Sequence, residues 1–270
     1  MNRTASRLAR LTRIAGPLTG LLLAFAVAAS PALAASAPGA HAGAPAGQAD
    51  QLTDRARCAR AWFEAAANPT VENYQKVGLC EIDRRLATID RLENAIETSR
   101  ALTDGHQAAL QGILDQSAAG LRALRAEIEA DTTLAELRED INSIFEDFRI
   151  YVLVVRQVWL VVAADTVDVA GAKLEETAAD LAVLIERAEA AGQDVTEAKA
   201  HLAAMEAAID EALAGVEGVT EDVMPLTPAD WNDGTAGPIL RAARQAIVDA
   251  RADLRTAMAE ARQVIAALAG

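Results

Sequence analysis

Histidine is scarce in this chain: His41, His106 and His201 are the only three in 270 residues. A histidine-rich metal site is thereby excluded. Cysteine is scarcer, with Cys58 and Cys80 alone, and they stand too far apart for the Cys-x-x-Cys of a catalytic dithiol. There is no Gly-x-Ser-x-Gly elbow, no phosphate loop, no glycine-rich dinucleotide turn and no Glu-x-x-His pair, so the usual signatures of hydrolase, nucleotide and di-metal chemistry are missing. Positive charge is also short. Four of the 25 basic residues fall in the first 34 positions, and the remainder carries 21 against 39 acidic residues, a net charge of −18. That surplus argues against nucleic acid or an anionic membrane surface as the partner. No catalytic, cofactor-binding or metal-ligating residue is expected.

What is present begins with an export signal over residues 1–34. Arg3, Arg7, Arg10 and Arg13 precede the apolar run Leu18 to Ala29 and a small-x-small site at Ala32-Leu33-Ala34, the three parts of a cleavable leader. A secreted, extracellular or envelope location follows. Residues 35–51, rich in Ala, Gly, Pro and Ser, read as a flexible spacer.

The rest carries the three-and-four apolar spacing of packed helices. Asn68-Pro69-Thr70 reads as a turn between a helix from Leu52 to Ala67 and another from Val71, since Pro stops a helix and Thr caps the next. Cys58 and Cys80 lie at equal distances either side of Pro69, at one height on an antiparallel hairpin. After export into an oxidising compartment they are expected to form a Cys58–Cys80 disulfide.

Three helices of similar length are expected at 71–101, 104–129 and 133–164, with the polar Ser117 filling one core slot of the second. The third holds the most apolar stretch, Ile150 to Ala164. Its principal stripe is Ile141, Phe145, Phe148, Val152, Val155, Trp159 and Val162; a second is Ile144, Tyr151, Val154, Val158 and Val161. Greasy on two faces, it should be the centre of the core. A membrane span is disfavoured because Arg156-Gln157 interrupts the run and Glu146, Asp147, Asp165 and Asp168 flank it.

Beyond Ala164 the pattern changes phase beside Gly171 and continues through Ala170, Leu174, Thr177, Leu181, Leu184, Ala188 and Ala191. It is followed by an Ala198–Val216 helix and, past a Gly, Pro and Asp-rich loop at 215–237, a last helix entered at Pro238. The expected fold is all-α: elongated antiparallel bundles, a disulfide-tied one over 52–164 and an Ala-rich one over 165–270, as two three-helix units sharing a long central helix.

That layout resembles spectrin-type repeat arrays in architecture alone. The segment Cys58 to Asp165, with Asn68-Pro-Thr-Val71, Cys80-Glu-Ile-Asp-Arg-Arg85, Leu102-Thr-Asp-Gly-His106 and Arg149-Ile-Tyr-Val-Leu-Val-Val155, resembles secreted helical proteins of high-GC bacteria. The resemblance implies export and a disulfide and supplies no active site. The expected function is therefore a non-catalytic structural or interaction role at the envelope or outside the cell, with a protein or envelope component as partner. A carrier or sensor of an apolar ligand held beside Tyr151, Val155 and Trp159 is the alternative.

Two further groups of residues bear on chemistry. His106, near a helix start, reads as a solvated or capping residue, and the Asp165/Asp168 pair, three apart on one helix face, as surface carboxylates able at most to bind a divalent ion weakly. Trp62 or Phe63 is expected to pack on the first bundle. Trp231, in the least regular loop, is the first place to look for partner recognition.

Overall fold

The computed structural model describes residues 46–269, and among them every regular element is helical. The leader and the spacer up to residue 45 lie outside the described residues. α1 (Ala46–Ala67) begins inside the stretch read as spacer, directly after Pro45 in the sequence and with Gly47 in its first turn. α2 (Val71–Thr98) starts where Thr70 accepts the Asn73 N–H at 3.3 Å. α3 (Asp104–Ala130) is capped by Thr103 through the His106 N–H, and α4 (Leu134–Glu146) by a reciprocal Thr133/Glu136 box.

The expected continuous helix over 133–164 is corrected. α4 stops at Asp147, Arg149 is left-handed at φ 42° and ψ 32°, and Ile150–Val154 forms one π-helical turn before α5 (Val155–Ala190). Such a turn inserts an extra residue and rotates the buried face. Ile144, Ile150, Leu153, Val154, Val158 and Val161 consequently point inward. Phe145, Phe148, Val152, Val155, Trp159 and Val162, read as the principal stripe, are left only half-buried, and Tyr151 is 38% exposed. Leu134–Ala190 contains an 18-residue window apolar enough by composition to cross a membrane, with 61% of it buried inside the protein.

α5 then runs without interruption past residue 165. Its inward residues are Leu160, Ala164, Val167, Gly171, Leu174, Ala178, Leu181 and Ile185, one unbroken four-three stripe without the expected change of phase at Gly171; Gly171, Ala178 and Ile185 take the slots expected for Ala170, Thr177 and Leu184, the last of which is exposed. Likewise Ala118, not Ser117, fills the slot in α3; the Ser117 hydroxyl donates to the Ile113 carbonyl in its own helix.

α6 (Thr196–Val216) and α9 (Ala236–Ala269) follow the expected stripes. The loop between them contains two single-turn helices, α7 (Val219–Val223) and α8 (Pro228–Asn232). In the first half α2 packs against α1, α3 and α4; in the second α5, α6 and α9 pack against one another, and α5 also reaches α2. Gln157, fully buried, donates to the carbonyls of Val223, Met224 and Leu226 at 2.8–3.3 Å and so pins the α7–α8 segment to α5.

Candidate functional site

Asp165 sits on α5 at a core position, 2% exposed, four residues after Val161. A carboxylate there is costly unless its lone pairs are filled. They are: the Thr103 backbone N–H donates to Oδ2 at 3.0 Å, and His106 Nδ1 lies 2.8 and 2.9 Å from the two oxygens. Thr103 caps α3 and His106 lies in its first turn, so the start of α3 is fastened to the first third of α5 by a single buried acid. Two groups read from sequence as a solvated histidine and a surface carboxylate are thus partners. The signal was available: Val154, Val158, Val161 and Asp165 continue one stripe at steps of four, three and four.

Beside this pair a cleft of about 450 Å³ opens between α3, α5 and the α6–α7 turn. Ala164, Leu213 and Val216 provide apolar wall, and His106 borders it with its Nδ1 already engaged, leaving Nε2 as the free ring nitrogen. Asp168, Glu217 and Glu221 supply carboxylates. Burial raises the Asp168 carboxyl above its ordinary value, Asp165 and Glu221 adding to the effect and His106 partly offsetting it. Thr220, 5% exposed, also lines the cleft. Among those residues no group of three or more His, Cys, Asp or Glu side chains converges closely enough to hold a metal ion.

The disulfide forms a second polar locus. Cys58 and Cys80 are bonded, with Cα atoms 5.6 Å apart. One turn beyond Cys58, the indole N–H of Trp62 donates to the Glu81 carboxylate at 3.3 Å, and Arg84 and Arg85 both donate to its other oxygen at 2.7 Å. Glu81 and Arg85 are buried, which the sequence did not suggest. Arg85 stacks over Phe145 at 4.5 Å, and Tyr151 faces both guanidinium groups at 5.0 and 5.3 Å. Burial pushes the Arg85 guanidinium down from its ordinary value, with Glu81 opposing. Both Nε atoms are buried without a partner. The cluster ties α1, α2, α4 and the π-turn together, with Glu81 and Arg85 buried and Arg84 partly exposed at its edge.

Of the two aromatics, Trp62 is the one that lies against the bundle, 38% exposed over the Glu81 cluster, and Phe63 is 77% exposed. Trp231 lies in α8 rather than in irregular loop, half-buried, with the Arg156 guanidinium 5.3 Å from its ring centre. Tyr151, Val155 and Trp159 do not border the cleft.

No family model matches the chain, and neither the curated proteins nor the solved structures contain a significant match to it.

Proposed function

We propose that this chain is an exported, non-catalytic helical-bundle protein with a structural or protein-interaction role at the cell envelope or outside the cell. The observation that carries the proposal is the Cys58–Cys80 bond across the α1–α2 hairpin, since such bonds persist in oxidising compartments and are rare in the cytosol. The basic-apolar-small pattern of residues 1–34 supports the same destination, as does the resemblance of Cys58 to Asp165 to secreted helical proteins of high-GC bacteria. Mutual burial of the helical faces supports a role carried by the outer surface, where the acidic excess keeps the protein soluble and steers cationic or neutral partners toward it. The 61% buried share of the apolar window within Leu134–Ala190 supports a core helix over a membrane span. The apolar-carrier alternative has no comparable support, because the cleft lies away from Tyr151, Val155 and Trp159.

In-cell crosslinking of the exported chain, followed by non-reducing electrophoresis, tests the interaction role. A discrete crosslinked species containing an envelope component is expected. Recovery of the chain solely as an uncrosslinked monomer would overturn it.

A further inference from the structure

We infer that Arg84 and Arg85, with the Tyr151 ring as a movable cover, form a binding site for a tetrahedral oxyanion of the phosphate type. The site is built on α2, one turn beyond the disulfide. Among the described residues the ion pairs of both guanidinium groups end on one carboxylate, Glu81, each at 2.7 Å. Two positive charges share one negative charge, so one positive charge is left over in a cluster whose Arg85 is 3% exposed. Such an uncompensated buried charge calls for a counter-ion.

Two orphaned donors say what that counter-ion is. Arg84 engages Glu81 through Nη2 and Arg85 through Nη1, while the Nε–H of each is buried without an acceptor. A carboxylate presents two coplanar oxygens, and Glu81 already fills that role. Donors left over on two separate heads need oxygens on different faces of one ion, which a phosphate group has. The Trp62 indole N–H holds the other Glu81 oxygen at 3.3 Å, which keeps that carboxylate from turning to the orphaned donors.

Access runs past Tyr151. Its ring lies 5.0 Å from the Arg84 guanidinium and 5.3 Å from that of Arg85, it is 38% exposed, and Arg84 beside it is partly exposed. Tyr151 stands in the π-turn, whose Ile150, Leu153 and Val154 are the residues anchored in the core. Rotation of this one side chain therefore uncovers the guanidinium edge and leaves the core packed. Burial pushes the Arg85 charge down and Glu81 opposes it; a bound anion adds to that opposition. The inference does not depend on where the chain resides.

Titration calorimetry of the oxidised chain with inorganic phosphate tests it, with phenyl phosphate as a second titrant and sodium chloride at matched ionic strength as the blank. Saturable one-site binding of at least one titrant is expected, and the tighter of the two tells a free ion from a phosphate ester. Arg84→Lys keeps the charge but removes the Nε–H, and should weaken binding about tenfold. Tyr151→Ala lifts the cover and should bind as tightly as the parent or more so. Arg60→Lys makes the same exchange on the exposed face of α1 and should leave binding unchanged. The melting temperature of the parent should also rise with the concentration of the titrant that binds, a readout that needs no variant. Unchanged affinity in Arg84→Lys, an equal loss in Arg60→Lys, or loss of binding in Tyr151→Ala would overturn the inference. So would heats no larger than the chloride blank with both titrants, or a parent melting temperature indifferent to both.

Discussion

His106 Nδ1 and the Asp165 carboxylate meet at 2.8 Å although 59 residues separate them. Around that contact the first turn of α3 is held to the first third of α5. Asp165→Ala removes the acceptor for both the imidazole and the Thr103 N–H and leaves those donors in a partly buried site. The loss should be about 2–3 kcal/mol of unfolding free energy, the range for breaking a hydrogen-bonded buried charge. Thr103→Ala, which removes only a cap, should cost about 1 kcal/mol. Chemical denaturation of the two variants measures both, and similar small losses would contradict the geometry.

The disulfide should act locally. Among the described side chains of α1, the buried apolar ones are Cys58 and Ala65, so the attachment of this part of α1 to α2 depends strongly on the bond. Cys58→Ser/Cys80→Ser should lower stability by about 3 kcal/mol in the chain-entropy account of a loop this size. Hydrogen exchange should accelerate across residues 58–67 and stay slow in α6 and α9. Uniform acceleration through the whole chain would show that α1 is not a separable element.

Arg149 offers a clean reading of backbone strain. It is the one non-glycine residue with positive φ among the described residues, and its side chain donates to Asn232 Oδ1 at 2.6 Å. Arg149→Ala and Arg149→Gly both lose that hydrogen bond, but glycine occupies the left-handed region freely. The glycine variant should therefore be about 1 kcal/mol more stable than the alanine variant, measured by thermal or urea unfolding. The reverse order would mean that the turn between α4 and the π-turn is not held at this conformation.

Gly120 makes the opposite demand. A Cβ there would stand 2.5 Å from Phe148 Cε1, so the ring must move and the helix break with it. Gly120→Ala should destabilise by about 1–3 kcal/mol, overpacking outweighing the gain of about 1 kcal/mol in helix propensity. A more stable variant would show that Phe148 is free to swing aside.

The sign of the Asp168 effect follows from its raised carboxyl. A group whose pKa is higher folded than unfolded contributes stability below the ordinary carboxylate range, and that contribution is lost as pH rises through the folded value. Asp168→Asn removes the penalty, so near about pH 7 it should melt higher than the parent by less than about 1 kcal/mol equivalent, the side chain being largely exposed. Near about pH 3, where the carboxyl is protonated in both states, the advantage should vanish. An advantage that persists at low pH would have another cause.

The helices were legible because their inward residues are strictly periodic. Leu110, Leu114, Leu121, Leu124 and Ile128 of α3 and Met205, Ile209, Ala212 and Val216 of α6 are all buried as their spacing requires. So was the hairpin, because Pro69 and Thr70 punctuate it and the two cysteines flank it evenly. The π-turn was not legible: over Ile150 to Val155 nearly every side chain is apolar, so a rotated helix and a straight one leave the same pattern. Leu184 and Ile185 fail for the same reason, two adjacent aliphatic residues competing for one slot.

The site was harder to see. Asp165 and Asp168 both extend the Val154, Val158 and Val161 stripe, at steps of four and seven from Val161, yet one is 2% exposed and the other open to water. What separates them is the identity of the neighbour, His106 with the end of the α2–α3 loop, and that neighbour arrives only through the tertiary fold. Thr220, Glu217 and Glu221 carried no periodic signal because they flank the Gly218 turn, where φ is +79° and helical spacing lapses.

The central claim, a disulfide-tied helical protein made for an oxidising compartment, is tested most directly by the intact mass of the product recovered from an exporting host after thiol alkylation. A chain beginning near Ala35, with no alkylated thiol until it is reduced, is the predicted result. A chain retaining Met1 and carrying two alkylated cysteines without reduction would contradict it.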